Sequence, residues 1–212
     1  LIVINSGGVA MRAELGITIS LGPVVSLDAN FDLSLNSFGR EIVYVVPESL
    51  RDRTGFDTYT ISAYPPGKDG SWVGPYMALT GQGSLSLLGG ALVMQGDFSL
   101  IFAKPIGGDF TIELGLTATL DLPVLEPLGV AGTLGVVLGD DIGIYGSLEL
   151  GGANPNSILI NGGSAFTLAG SFLLQINTTK SERLVRGRDP VSGQFFDASG
   201  KPIEVALDPR YL

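Results

Sequence analysis

Apolar and polar side chains alternate over long stretches of this chain, and this period of two constrains the fold more than any other feature. Between Met94 and Ile176 the apolar residues occupy even-numbered positions in four runs. The members of one run are Phe110, Ile112, Leu114, Leu116, Ala118, Leu120 and Leu122. Successive side chains of an extended strand point to opposite faces, so the pattern indicates β-strands with one apolar and one polar face.

The same pattern predicts a series of strands separated by connections that contain Gly, Pro and Asp. The predicted strands span residues 11–20, 24–36, 41–46, 57–64, 76–87, 91–103, 109–122, 128–138, 142–150, 157–161, 165–177 and 203–207. Parallel neighbours need crossovers of about a dozen residues or more, so the short connections of the middle region predict antiparallel pairing. Only residues 47–51 favour a turn of helix. We therefore expect an all-β fold of long antiparallel amphipathic strands.

Three arrangements can remove the apolar face from water. Two sheets can stack, as in a sandwich or an extended β-prism; one sheet can curl around lipid; or the face can turn towards a bilayer, as in an outer-membrane β-barrel. One Trp and six Tyr are few for two aromatic girdles. We expect the stacked sandwich or prism, built from repeats, and keep a lipid-binding or outer-membrane protein as the alternative.

The composition argues against several functional classes. The 212 residues include no Cys and no His, which removes the usual general base, the Cys–His pair and the commonest zinc ligands. A net charge of −9 makes nucleic acid a poor partner, because phosphate binding needs clustered Lys and Arg. We therefore expect no enzyme activity, no catalytic residues, no metal and no cofactor.

The charges are unevenly distributed. Residues 71–179 contain eight acidic residues and one basic residue, Lys104. Four basic residues follow in one extended segment: Lys180, Arg183, Arg186 and Arg188. This cluster can contact the acidic stretch of a neighbouring repeat, or it can be a solvated edge that blocks aggregation. Trp72 and Tyr76 form a second candidate contact between repeats, with burial over the sheet as the alternative.

The chain also matches itself at a constant offset. Residues 27–36, LDANFDLSLN, align with residues 168–177, LAGSFLLQIN, at a spacing of 141. Charged, turn-rich passages follow both segments, so that 27–69 resembles 168–210. This self-similarity is typical of arrays in which each unit buries its face against the next. We expect residues 1–212 to form one continuous β region of a longer chain, with 71–179 as its acidic core.

Other motifs have ordinary structural explanations. Gly107–Asp109 and Gly139–Asp141 contain the residues of acidic calcium turns, but hairpin turns have the same composition. Asn177-Thr178-Thr179 has the form of a glycosylation sequon. Glu113 and Asp121 lie on one strand face but are too far apart for a glycosidase pair.

The passage from Phe166 to Thr179 and the Leu116–Leu120 strand resemble the repetitive regions of very large bacterial surface or adhesin-type proteins. The resemblance implies an extracellular or cell-surface location and a structural, repeat-built role, and it carries no active residues. We therefore expect a non-enzymatic structural or adhesive repeat that assembles head to tail with neighbouring repeats, or with copies of itself, into a fibre or coat.

Overall fold

A computed structural model describes residues 1–22, 25–87, 90, 92–121, 128–152, 160–161, 167–168, 172–189 and 191–210. In chain order the elements are β1 (Ile2–Asn5), β2 (Gly8–Leu21), β3 (Val25–Asn36), β4 (Ile42–Val45), α1 (Glu48–Thr54), β5 (Thr58–Ile61), β6 (Tyr76–Leu87), β7 (Leu92–Ala103), β8 (Phe110–Asp121), β9 (Leu128–Leu138), β10 (Gly143–Gly152), β11 (Ile160–Asn161), β12 (Thr167–Leu168), β13 (Phe172–Asn177), β14 (Arg183–Arg186) and β15 (Glu204–Leu207). The prediction of an all-β fold with long antiparallel strands is confirmed.

Nine of these strands form one antiparallel sheet. Their order is β1-β2-β3-β6-β7-β8-β9-β10-β13, and β4–β5, β11–β12 and β14–β15 form three separate two-stranded sheets. Most predicted strands match within a few residues. The strands predicted at 157–161 and 165–177 lie partly outside the described residues. The β14 strand was missed, because its Arg-Leu-Val-Arg sequence places charges at both ends of a very short run.

The register places the apolar side chains of every long strand on one face. Leu33, Leu79, Leu100, Leu114 and Leu134 are successive cross-strand partners over β3, β6, β7, β8 and β9. A shift of one residue in any pair would turn that strand's apolar residues to the other side, so burial of this pattern specifies the register. On this apolar face the paired positions of β2 to β10 carry only apolar side chains or Gly.

Among the described residues, part of the apolar face is open to solvent. Several of its side chains are about half exposed, including Leu114 at 50%, Leu134 at 54% and Leu174 at 57%. The hairpins β4–β5 (the first hairpin) and β14–β15 (the second hairpin) lie instead on the opposite, polar face. They do so because the charged and amide groups of the connecting segments find their partners there. Stacking of a second sheet on the apolar face stays a prediction.

The two hairpins attach to the sheet in the same way. Asn36 at the end of β3 and Asn177 at the end of β13 are both completely buried. The Nδ2 group of Asn36 donates to the carbonyl oxygens of Arg40 and Ser62, at 2.8 and 2.7 Å. The Nδ2 group of Asn177 donates to those of Ser181 and Asp208, at 3.0 and 2.9 Å. Each amide thus ties the start and the end of a hairpin to the sheet.

The described part of the chain contains no helix of the length and hydropathy needed to cross a membrane. Its one α-helix, α1, has seven residues and is capped at its C-terminal end by Gly55, whose φ of 72° suits a glycine. The polar-face core has two apolar centres. One contains Tyr76, Ala78, Ile101 and Ala103; the other contains Val137, Tyr145, Val185 and Leu207.

Candidate interaction sites on the two faces of the sheet

A buried ionic cluster lies on the polar face where four distant segments meet. Lys68, from the loop before β6, contacts Glu113 of β8 at 2.7 Å and Glu204 of β15 at 3.0 Å. The side chains of Lys68 and Glu113 are only 6% and 5% exposed. Tyr145 of β10 donates a hydrogen bond of 2.6 Å to the second oxygen of Glu113. The four groups therefore bind one another within the fold.

The protonation states in this cluster follow from its geometry. Burial acts to lower the pKa of Lys68, but the charges of Glu113 and Glu204 outweigh it, and the pKa is raised above its ordinary value of 10.5. Burial, followed by the negative charge of Glu113, raises the pKa of the Tyr145 phenol. At neutral pH Lys68 is an ammonium and Tyr145 is a neutral donor. The cluster therefore joins four segments of the chain through buried ion pairs and a hydrogen bond.

Tyr76 is buried and Trp72 is partly buried, so neither side chain lies on an open surface. Tyr76 is 5% exposed, and its hydroxyl donates to the carbonyl of Ser62 at 3.3 Å. Trp72 is partly buried against the Tyr76 cluster, with Lys68 Nζ 5.0 Å from its ring centroid. The contact of these residues with a neighbouring repeat stays a prediction.

The basic residues that follow β13 contact the acidic stretch of this same chain. Arg183 pairs with Asp141 at 2.9 Å, and Arg188 pairs with Glu149 at 2.8 Å. The Lys180 ammonium donates to the carbonyl oxygen of Asp140 at 3.2 Å. Their contact with a neighbouring repeat stays a prediction.

Among these basic residues, Arg186 reaches furthest across the polar face of the sheet, to β7. Its guanidinium donates to Ser99 Oγ at 2.8 Å and to the carbonyl oxygen of Asp97 at 3.2 Å. Burial is the main cause that lowers the pKa of Arg186. Hydrogen bonds to two strands of the sheet, β7 through Arg186 and β10 through Arg188, hold the segment from Lys180 to Arg188 across the polar face.

Glycines in the strands provide the space in which the covering side chains lie. A Cβ atom at Gly115 would come within 2.6 Å of Arg186 Nε, and one at Gly151 within 2.8 Å of the Arg188 guanidinium. A Cβ atom at Gly129 would overlap the ring of Phe195. These strand glycines mark close approaches from outside the sheet, which is a recognised reason for Gly within a strand.

Two concave regions accompany these surfaces. A cavity of about 380 Å³ lies beside the ionic cluster, lined by residues that include Lys68, Trp72, Asp141 and Arg183. A depression of about 280 Å³ lies on the apolar face. Its lining includes Leu116, Leu134, Leu148, Leu174 and Ile176. Gly132 and Gly146 also line it, and their missing side chains provide its depth.

The other sequence motifs have partners inside the fold. Asp109 accepts the backbone N–H groups of Asp140 and Asp141, at 3.0 and 2.7 Å, so it closes the β9–β10 turn. No group of acidic side chains in the described ranges has the spacing to hold a metal ion. Asn177, the sequon asparagine, is completely buried with its amide bonded, so the folded chain does not present it for glycosylation.

Sequence reasoning missed the cluster of Lys68, Glu113, Tyr145 and Glu204. Its members are far apart in the chain, and Lys68 lies 136 residues from Glu204. The available signal was the glycine pattern: Gly115 and Gly135 occupy positions where a polar-face side chain would otherwise stand. That pattern indicates a covered polar face, but it does not identify what covers it.

Searches of protein-family models, of curated proteins and of solved structures found no match to this chain.

Proposed function

We propose that this chain is a non-enzymatic structural element, built from repeats of about 141 residues, in a long extracellular or cell-surface protein. The observation that carries the proposal is the recurrence of one structural unit at the spacing of the sequence match. Asn36 and Asn177 are 141 residues apart, and a four-residue strand begins six residues after each. In both hairpins the first residue of the leading strand pairs with the last residue of the returning strand.

The strands before each asparagine also correspond. Ala10 of β2 pairs with Asn36, as Tyr145 of β10 pairs with Asn177. β1 lies next to β2 in the sheet, and β9 lies next to β10, so these two strands correspond as well. One unit therefore consists of β3, its hairpin, and β6 to β10, which gives six sheet strands. At about 4.8 Å per strand, each repeat extends the sheet by about 29 Å.

The basic segment joins two units in this scheme. With a boundary near residue 168, Arg183, Arg186 and Arg188 belong to the second unit, whereas Asp141, Ser99 and Glu149 belong to the first. The contacts proposed from the sequence, between a basic segment and an acidic neighbour, then occur across this boundary. Because they are largely shielded from water, salt weakens them less than surface ion pairs.

A structural role also agrees with the state of the buried charges. Lys68 is bound by two carboxylates, and Glu113 is bound by an ammonium and a phenol. A catalytic group needs an orientation towards a bound substrate and a protonation state suited to the reaction. These groups are turned towards one another instead, so they contribute to the cohesion of the array.

The test is a chain with one more unit. A copy of residues 27–167 is inserted after residue 167, so that the added segment continues the 141-residue period. We expect one cooperative unfolding transition and an increase of about 29 Å in the long dimension of the sheet, measured by small-angle scattering. A control insert of residues 27–150 omits the connection to β13 and should give an additional, separately melting or unfolded segment.

Independent tumbling of the added unit, or an inserted segment without protected amides, would contradict the repeat. Assembly is tested separately by sedimentation of the 212-residue chain without detergent. The structural proposal expects oligomers whose mass rises with protein concentration and that contain no extractable lipid.

A second candidate function is the binding of lipid acyl chains along the apolar face. The specific observation in its favour is the chemistry of that face: its paired positions from β2 to β10 carry only apolar side chains or Gly, and many are half exposed. An acyl chain needs no hydrogen-bond partner and gains about 0.8 kcal/mol for each CH₂ that it buries. The apolar depression lined by Leu134 and Leu174 can take part of such a chain.

Lipid extraction followed by mass spectrometry distinguishes the two functions. The lipid proposal expects acyl lipids in stoichiometric amounts after detergent-free purification, and saturable binding of a fluorescent fatty acid by the delipidated chain. A chain that is free of lipid and does not bind the probe would exclude this candidate and leave the structural one.

A further inference from the structure

The two hairpins differ in what lies beneath them. The second hairpin packs on β8, β9 and β10, and its inward-facing Val185 is completely buried against Val137 and Tyr145. The first hairpin packs on β2, whose neighbour is the four-residue edge strand β1. In the described sheet no strand lies beyond β1, so the first hairpin has no counterpart of β8 beneath it.

One cross-strand pair consists of two valines in the second hairpin and of two tyrosines in the first hairpin. Val185 pairs with Val205, and the corresponding pair is Tyr44 with Tyr59. Both tyrosines remain partly exposed. They line a cleft of about 640 Å³ together with Leu1, Arg12, Glu14 and Phe56, here named the open cleft.

The edge of the sheet beside the open cleft can accept a strand. The ammonium group of Leu1 donates to the carbonyl oxygen of Arg12 at 2.8 Å, and the Arg12 N–H donates to the carbonyl oxygen of Leu1 at 2.9 Å. Because bonded and non-bonded pairs alternate along an antiparallel ladder, the N–H groups of Ile2 and Ile4 point away from β2. Ile4 is 71% exposed, which leaves this edge accessible.

We propose that the open cleft and the edge of β1 form a docking site for a strand equivalent to β8, supplied by a preceding repeat. The inference rests on the proposed repeat and identifies the partner of one surface. This surface corresponds to the interface under the second hairpin, where β8 occupies the equivalent place. The docked strand continues the apolar face on one side and places its polar-face positions next to the first hairpin on the other, as Gly115 of β8 lies next to Arg186 of the second hairpin.

The register of the docked segment can be derived from the second unit. Val3 pairs with Ala10 as Gly135 pairs with Tyr145, so Leu1 corresponds to Thr133. A copy of residues 92–132 placed directly before Leu1 therefore provides equivalents of β7, β8 and the start of β9 in register. The full chain is kept, and its unextended form is the reference.

Two local measurements test the docking. Hydrogen exchange at the Ile2 and Ile4 amides should slow at least a hundredfold in the extended chain. A cysteine at position 59 (Tyr59→Cys) should react at least tenfold more slowly with a maleimide in the extended chain, because the chain has no other Cys. A cysteine at position 43 (Val43→Cys), where the native side chain is 56% exposed, is the control and should react at the same rate in both chains.

A matched variant distinguishes docking of the copied strand from a general effect of the extension. Leu116→Pro in the copied segment removes a ladder donor and should restore fast exchange at Ile4 while the copied β9 start remains. Unchanged exchange and unchanged labelling in the extended chain, with protection of the Ile101 region retained, overturn the inference. These readouts are local, so a chain that neither assembles nor binds lipid can still pass them. Failure of the proposed function is thus distinguishable from failure of this docking site.

Discussion

Tyr145 donates a hydrogen bond of 2.6 Å to Glu113, from β10 across β9 to β8, under the second hairpin. The same carboxylate pairs with Lys68 at 2.7 Å, and Lys68 also pairs with Glu204 of the second hairpin at 3.0 Å. The sheet, the loop before β6 and the second hairpin are therefore joined through one glutamate. Loss of any single partner of such a buried charged group is costly, because the remaining charge would be left without compensation.

Replacement of Tyr145 by Phe should lower the free energy of unfolding by about 1.5–3 kcal/mol, because Glu113 loses a buried donor while the ring packing is retained. Urea unfolding measures this loss. Tyr59→Phe is the control, since no hydrogen bond of its hydroxyl occurs within the described residues, and its cost should stay below about 0.5 kcal/mol.

The ionisation of Tyr145 can be tested by titrating the tyrosinate absorbance of Tyr145→Phe and of the native chain. Burial raises the pKa of Tyr145 and of Tyr76, so both should remain neutral near pH 10, the ordinary pKa of a free tyrosine. Tyr145→Phe should therefore leave the amplitude of the first tyrosinate phase unchanged. A loss equal to the absorbance of one tyrosinate would mean that Tyr145 ionises in this phase, contrary to its buried position.

Asp141 makes the attachment of the second hairpin sensitive to acid. Desolvation acts to raise its pKa, but hydrogen bonds from Lys180 and Ser181 and the charge of Arg183 lower it below the ordinary value of 3.8. A lowered folded-state pKa gives stability that is present above pH 3.8 and is lost as the pH falls through the folded-state value.

The stability advantage of the native chain over Asp141→Asn should thus be full at about pH 6 and should shrink below about pH 4. Urea midpoints of both chains across this range measure the difference. An advantage that is constant with pH would show that the Asp141 carboxylate contributes no more than its neutral amide.

The middle of the fold could be predicted from the sequence because its information is local. In β8 and β9 the alternation repeats every two residues, and the observed bounds, Phe110–Asp121 and Leu128–Leu138, lie within one residue of prediction. The ionic cluster could not be predicted, because its partners meet only after the hairpin has folded back. The alternation identified the apolar face but not its cover, since that depends on what lies next to the chain.

The glycine positions on the polar face give a third prediction. Gly129→Ala should destabilise by about 1–3 kcal/mol, because its Cβ would overlap the Phe195 ring and force the segment after Arg188 to move. Gly16 of β2 is the matched control: its Cβ would lie 3.6 Å from Asn30 Oδ1, an ordinary contact. Gly16→Ala should be neutral or slightly stabilising, and equal effects at both sites would contradict the covering role of Phe195.

The two buried asparagines should behave alike. Asn36→Ala and Asn177→Ala each remove a buried amide that donates to the carbonyl oxygens at the start and the end of a hairpin, so each should cost about 1–3 kcal/mol. Hydrogen exchange should accelerate mainly in the hairpin that follows the substituted residue, β4–β5 or β14–β15. Asn30→Ala is the control, because Asn30 is exposed on the same strand as Asn36 and should have little effect.

The role of the apolar face can be tested with two adjacent leucines of β13. Leu174 is 57% exposed on the apolar face, and Leu173 is 55% exposed on the opposite face. Leu174→Gln and Leu173→Gln remove similar exposed apolar area, so both should change stability by less than about 1 kcal/mol. Only Leu174→Gln should reduce self-association, measured by sedimentation, or fatty-acid binding, measured by fluorescence. Which of these two signals falls identifies the partner of the face. Equal losses in both variants would mean that association depends on general surface hydrophobicity and not on the face that the register creates.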